Sequence, residues 1–227
     1  MIQELAYQDL ELSQNYKSGY TADIYESPSD TTVVVKNVRA LFDRGNRITN
    51  YDRAMFMHEV GGDLSVLRSP KYSLTEFIPK TQLAWGKENP LLQQESGFIV
   101  MEKVEGQRIQ DVWELDSNLA KQLDLLLSRS LILGLHNLNV QKGVRRIPDI
   151  INALGFINII VGATPGDPEI RPYLIDTYPA SVGIDSNYGV WKEALEWLRT
   201  QSNGYEYAST QEQMRIFFKS PQLRRRE

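Results

Sequence analysis

Polar and apolar positions alternate in short steps over the first hundred residues and recur every three or four beyond them. Ala22-Asp23-Ile24-Tyr25 alternates in polarity, Ser27-Pro28-Ser29-Asp30 clusters turn residues, and Thr31 to Val35 is β-branched throughout before Lys36. Such runs flanking a turn predict a hairpin within residues 20–39, with a bend at Gly19 just before it. From 50 to 67 the pattern turns helical: Met55, Val60 and Leu64 share a face, with Met57 and Leu67 at its margins, and Ser69-Pro70 ends it. The pair Gly61-Gly62 weakens the middle of that helix by about 1 kcal/mol per glycine. Residues 74–78 and 83–85 read as short strands, and Gly97-Phe98-Ile99-Val100-Met101 as a buried one.

Beyond the polar stretch Glu102-Lys103-Val104-Glu105-Gly106 the balance shifts to helix. Asp116-Ser117 caps a long helix to about His136, in which Leu119, Leu123, Leu126, Leu127, Ser130, Leu131 and Leu135 recur at helical spacing. Residues 156–161 form a second apolar run, 162–169 a hairpin loop, and Tyr173-Leu174-Ile175-Asp176 the returning strand. Residues 188–199 and 210–218 read as helices. This order predicts an α+β fold. It has an antiparallel, β-rich N-lobe over 1–101, a hinge over 102–106, and a mainly helical C-lobe over 107–227 with a β-hairpin near 157–176.

Composition narrows the chemistry. The 227 residues carry 25 Lys and Arg against 29 Asp and Glu, and 41% are hydrophobic, which suits a folded chain rather than a disordered one. A chain this long buries roughly 70% of the surface its unfolded form exposes, so it needs no disulfide or metal to hold it. The absence of cysteine excludes disulfide scaffolds, thiolate zinc sites, iron–sulfur clusters and cysteine nucleophiles. His58 and His136 leave little for a histidine-based metal site. Net acidity argues against nucleic acid as a partner, except through the basic tail Arg224-Arg225-Arg226, which could touch RNA or an acidic protein and otherwise is a solvated end. No stretch reaches the roughly 18 apolar residues of a membrane span. The opening MIQELAYQDLELSQ has neither a basic start nor an apolar run, so no secretory signal is expected and the expected location is the cytoplasm.

Several short motifs fall in a meaningful order. Lys36 ends a β-branched strand, and Glu59, with Asp63 as an alternative one turn on, sits on the expected helix. Phe98 to Gly106 reads as an apolar strand followed by Met-Glu-x-x-x-Gly, Asn158 opens Asn158-Ile159-Ile160-Val161, and Asp176 closes Leu174-Ile175-Asp176. Each has an ordinary structural explanation: a lysine snorkelling from a strand end, a solvated helix glutamate, a strand leaving the core, a cap, a turn aspartate. Together and in this order they resemble the protein-kinase-like superfamily in its small forms, such as aminoglycoside phosphotransferases, RIO-like kinases and the small ATPases of tRNA-modification complexes.

The resemblance implies a two-lobed minimal kinase-like fold binding ATP and Mg²⁺. Lys36 would hold the α- and β-phosphates with Glu59 orienting it. Gly19, in Ser18-Gly19-Tyr20-Thr21-Ala22, would stand in a shortened phosphate loop. Backbone groups of Glu102 and Val104 would bond the adenine edge, and Asn158 and Asp176 would hold the metal. One departure is decisive for activity. Five residues before Asn158, where the family has its catalytic aspartate, stands Ala153, and the family's histidine position is Ile151. General-base catalysis contributes about 10²–10⁴-fold, so ordinary turnover is impaired unless Asp149 substitutes across a longer loop. The chain after Asp176 is also short and has no A-P-E motif. Three readings follow: a nucleotide-binding pseudokinase acting through a protein partner, an active atypical transferase using Asp149 or another group, and a non-kinase α+β binding module.

Overall fold

The computed structural model of the chain describes residues 3–4, 16–18, 22–27, 30–38, 41–43, 46–48, 74–87, 95–140, 146–148, 158–175, 179–181 and 184–219. The helix expected over 50–67 lies outside them. The architecture is α+β, and the helices longer than a single turn among the described residues all follow residue 116. None of them is long and apolar enough to cross a membrane. The chain forms two compact units. Met1–Asp63, Pro79–Val104 and Thr164–Pro168 make one; Leu64–Ile78, Glu105–Ala163 and Glu169–Glu227 make the other.

The first unit is built from β1 (Gln3–Glu4), β2 (Tyr16–Ser18), β3 (Ala22–Glu26), β4 (Val33–Val38), β5 (Leu41–Asp43), β6 (Asn46–Ile48), β7 (Thr81–Lys87) and β8 (Glu95–Glu102). Six of these form one sheet in the order β1-β7-β8-β4-β3-β2, antiparallel except where β1 lies parallel to β7, and β5 pairs β6 separately. The expected hairpin is present as β3 and β4. Its turn is closed by Asp30, whose carboxylate accepts the Thr32 hydroxyl at 2.5 Å and the Thr32 N–H at 2.9 Å. Those two bonds, the hydroxyl's first, hold the Asp30 carboxyl below its ordinary value.

The alternation of β-strands divides the sheet into two faces. Val35, Ala84 and Phe98 cluster on one, with Tyr25 and Val100 packed against them. Register places Ile24, Lys36 and Ile99 side by side on the other face, next to the pair Val34 and Met101.

The second unit holds β9 (Glu105–Arg108), β10 (Arg146–Pro148), β13 (Pro179–Ser181) and, except for their ends within 164–168, β11 (Ile159–Thr164) and β12 (Asp167–Leu174). Its helices are α1 (Ser117–Val140), α2 (Ile184–Gln201) and α3 (Ala208–Lys219). Residues 74–78 are not a strand: Thr75–Phe77 is a 3₁₀ turn, with the Phe77 N–H donating to the Leu74 carbonyl at 2.8 Å. Leu74 and Phe77, three apart, are both buried, and a single tight turn puts such positions on one side.

The connection expected over 162–169 is also shorter than the sequence suggests, because β11 runs to Thr164 and β12 resumes at Asp167. Gly162 belongs to the strand because of what faces it. β9 and β11 pair with Gly106 opposite Gly162, and a Cβ on Gly106 would stand 2.1 Å from the Val161 carbonyl oxygen. One on Gly162 would stand 2.3 Å from the Glu105 carbonyl oxygen. Backbone atoms fill the space on both sides, which is the setting in which a strand interior needs glycine.

Helix α1 contacts α3 extensively, and α3 in turn meets α2. The Asp116 carboxylate caps α1 by accepting the Leu119 N–H at 2.8 Å. Leu123, Leu126, Leu127 and Leu131 are buried, as the spacing predicts. The same face carries Asp124, only 4% exposed. Its carboxylate accepts the Thr210 N–H at 2.8 Å, the Thr210 hydroxyl at 2.6 Å and the Ser209 N–H at 3.2 Å. These are first-turn donors of α3 that a helix cannot satisfy internally, so a carboxylate on α1 caps a helix distant in sequence.

Between α2 and α3 the chain reverses through Asn203 (φ 52°) and Gly204 (φ 86°), and the Gly204 N–H donates to the Arg199 carbonyl at 2.8 Å. This is a left-handed helix stop. Tyr207 then adopts φ 47° with its side chain fully buried, its ring edge-on to Tyr205 at 4.9 Å. Among the described residues the Tyr207 hydroxyl meets no partner at full hydrogen-bond geometry, with the Ser202 hydroxyl the group beside it. Burial pushes its phenol up to about 12, with Asp124 and Tyr205 adding to the rise and the nearby Ser202 hydroxyl opposing it.

Two outcomes follow. Gly106→Ala or Gly162→Ala forces β9 and β11 apart and lowers stability by about 1–3 kcal/mol, read from urea unfolding. Because the folded phenol ionises above its unfolded value of 10, the stability tied to Tyr207 is complete below pH 10 and is lost as pH rises towards 12. Tyr207→Phe therefore flattens the fall in melting temperature over that window. An unchanged pH profile would separate Tyr207 from alkaline unfolding.

Candidate functional site

Lys36 is the most unusual side chain of the first unit. It lies on β4 between Ile24 of β3 and Ile99 of β8, and only 6% of it is exposed. Ile99 and Met101, on the same face, are buried as well. Surface lysines usually snorkel their ammonium to water, so a lysine this enclosed on an apolar sheet face stands out. Ladder bonds on both sides of β4 fix the backbone from which it projects.

The end of the same strand pair supplies polar backbone. The Glu102 N–H is taken by the Lys80 carbonyl at 3.0 Å and the Lys103 N–H by the Thr32 carbonyl at 2.8 Å. The Val104 N–H meets no acceptor among the described residues. Side chains here turn to one another: Glu102 lies 3.6 Å from the Lys80 ammonium, and Lys103 3.2 Å from Glu26. Gly166, in the turn after β11, leaves room for the first pair, since a Cβ there would sit 2.8 Å from a Glu102 carboxylate oxygen. The face thus offers an apolar platform at Val34 and Met101, a backbone donor beyond it, and a fixed cation two residues along β4, about 7 Å away.

Asn158 lies in the second unit, directly before β11, and its carbonyl accepts the Ile175 N–H from the end of β12 at 2.9 Å. Gly19, Glu59, Asp149 and Asp176 lie outside the described residues. The structure thus gathers Lys36 and Glu102 on one strand pair, with Val104 just past its end, and ties Asn158 to the residue preceding Asp176. No cluster of three acidic or histidine side chains able to hold a metal occurs among the described residues.

The sequence reading missed the apolar neighbours of Lys36. Its own period of two contained Val34, but Ile24, Ile99 and Met101 needed the register. It also missed the short pair β10–β13, in which Arg146–Pro148 runs antiparallel to Pro179–Ser181. Three-residue strands carry almost no periodicity.

No protein-family model and no curated protein matches the chain. Among solved structures it is similar to an apo pseudokinase, with a TM-score of 0.49 and 10% identity, over 98% of this chain and 88% of that one. A likeness that slight carries neither fold nor function across.

Glu102 and Val104 offer the site only their backbone, and the Glu102–Lys80 pair is exposed on its lysine side. Glu102→Gln should change stability by under about 1 kcal/mol and leave the affinity of any ligand on this face within twofold by calorimetry. A tenfold loss would assign the carboxylate itself to the site.

Proposed function

We propose that the chain is a kinase-like nucleotide-binding protein whose phosphotransfer is weak or absent. The observation that carries this reading is the buried Lys36. It stands on the last of three consecutive antiparallel strands, β2, β3 and β4, where kinase folds keep the lysine that meets the α- and β-phosphates. A phosphate brought against Lys36 would meet a cation on a strand whose backbone is fixed by ladders on both sides, and a flat base on Val34 and Met101 would find the Val104 N–H at its edge. ATP fits this donor set. Glu59 would orient Lys36, Gly19 would lie over the phosphates, and Asn158 and Asp176 would supply the few hard oxygen ligands that Mg²⁺ takes from protein. The magnesium would neutralise phosphate charge. Ala153 leaves the expected base position empty of any proton acceptor.

A second reading, an active transferase with Asp149 as base, is favoured by one observation. β10 ends at Pro148, immediately before Asp149, and pairs with β13, which begins shortly after Asp176. The Asn158–Ile175 bond likewise joins the chain before β11 to the end of β12 within the same unit.

Thermal denaturation with Mg-ATP tests the first reading. At 100-fold excess over Kd the ligand stabilises by about 2.7 kcal/mol; Lys36→Met should abolish the shift, and Asp176→Ala should reduce it more with magnesium than with EDTA. No shift with any nucleotide would return the chain to a non-kinase binding module. Hydrolysis that Asp149→Asn lowers at least tenfold would establish the second reading, and turnover unchanged in that variant would remove it.

A further inference from the structure

The most exposed large apolar side chain among the described residues is Trp113, at 92%. It stands in the short connection between the 3₁₀ turn Ile109–Asp111 and α1, and that connection is held at both ends. Ile109 and Leu115 are buried to within 1%. The Val112 N–H donates to the Ile109 carbonyl at 3.1 Å, and the Leu115 N–H to the carbonyl of Gln201, the last residue of α2, at 2.9 Å. The Asn203 amide donates to the Glu114 carboxylate at 3.3 Å. Two buried anchors thus force the indole between them into water on a fixed backbone. A rigid, solvent-facing tryptophan is the side chain that most often dominates a protein interface, and holding it in place beforehand removes the ordering cost of binding.

The surroundings say what would cover it. Asp111, Glu114 and Asp116, all exposed, flank Trp113 within three residues on either side, and no cation stands between Arg108, the last residue of β9, and the start of α1. An acidic collar repels nucleic acid and anionic lipid. It attracts cationic side chains, and a guanidinium stacks on an indole face while its neighbours pair with carboxylates. We propose that the Trp113 loop is a docking surface for an arginine-rich segment of a partner protein. Docking requires nothing of Lys36 or of any nucleotide.

The test uses the full chain without nucleotide, a fluorescently labelled peptide of alternating Arg and Gly, and its Glu–Gly counterpart, followed by anisotropy. The Arg peptide should bind, more weakly as salt rises. Trp113→Ala should weaken it at least tenfold, and Asp111→Lys with Glu114→Lys should weaken it and flatten the salt dependence. All variants should keep the wild-type melting temperature within a degree or two, because none of these side chains is buried. The proposal is overturned if the Arg peptide fails to bind at millimolar concentration, if Trp113→Ala binds it equally, or if the Glu peptide binds as well. Indole emission separates a further occupant. If Trp113 emits as a shielded residue in the free protein and shifts red when residues 220–227 are removed, the surface belongs to the chain's own Arg224–Arg226 tail and not to a partner.

Discussion

Strand β8 is bonded on both sides, to β4 and to β7, and its register with β4 decides which side chains share a face. With Lys36 opposite Ile99 and Val34 opposite Met101, the lysine lies among apolar neighbours, and Val35 goes to the other face with Phe98 and Ala84. A slip of one residue would exchange the two sets, exposing the core residues and withdrawing the cation from its platform. The core cluster of Val35, Ala84 and Phe98 makes that slip costly, so the packing of one face fixes the position of the charge on the other. The same ladder determines which backbone groups at 102–104 are taken and which are offered.

The second unit depends on a different device. Asp124 sits within a leucine-rich helical face, where an unpaired carboxylate would be strongly unfavourable. The first turn of α3 supplies the donors that make it tolerable, and in return α3 receives its cap. The polar contact specifies where α3 begins on α1, while the leucines supply the burial. Gly106 and Gly162 play a comparable part in the sheet, where two missing side chains let β9 and β11 approach.

These arrangements bear on function in the same sense. Lys36, set beside Ile24, Ile99 and Met101 on a strand bonded on both sides, presents its charge from a fixed position. Ala153, at the position where the proposed kinase-like reading expects a base, cannot accept a proton. On the proposed pseudokinase reading the chain would act through its surfaces, and the exposed indole at Trp113 stands on a well-anchored loop.

The sequence by itself determined the α+β class, the β3–β4 hairpin, strand β8, and the three long helices with the Asp116 cap. Each rests on local periodicity or turn chemistry that a few neighbouring residues encode. It also singled out Lys36, by its place at the end of a β-branched run. Only tertiary structure decided that residues 74–78 turn rather than extend, that Gly162 is a strand residue, that β10 pairs with β13, and that Asp124 caps a helix far along the chain. Each of those depends on a partner distant in sequence: a glycine opposite a glycine, a three-residue strand finding its mate, a carboxylate meeting donors in another helix. The same holds for the burial of Lys36, because period-two alternation names the residues that share its strand face but not the strands that lie beside it.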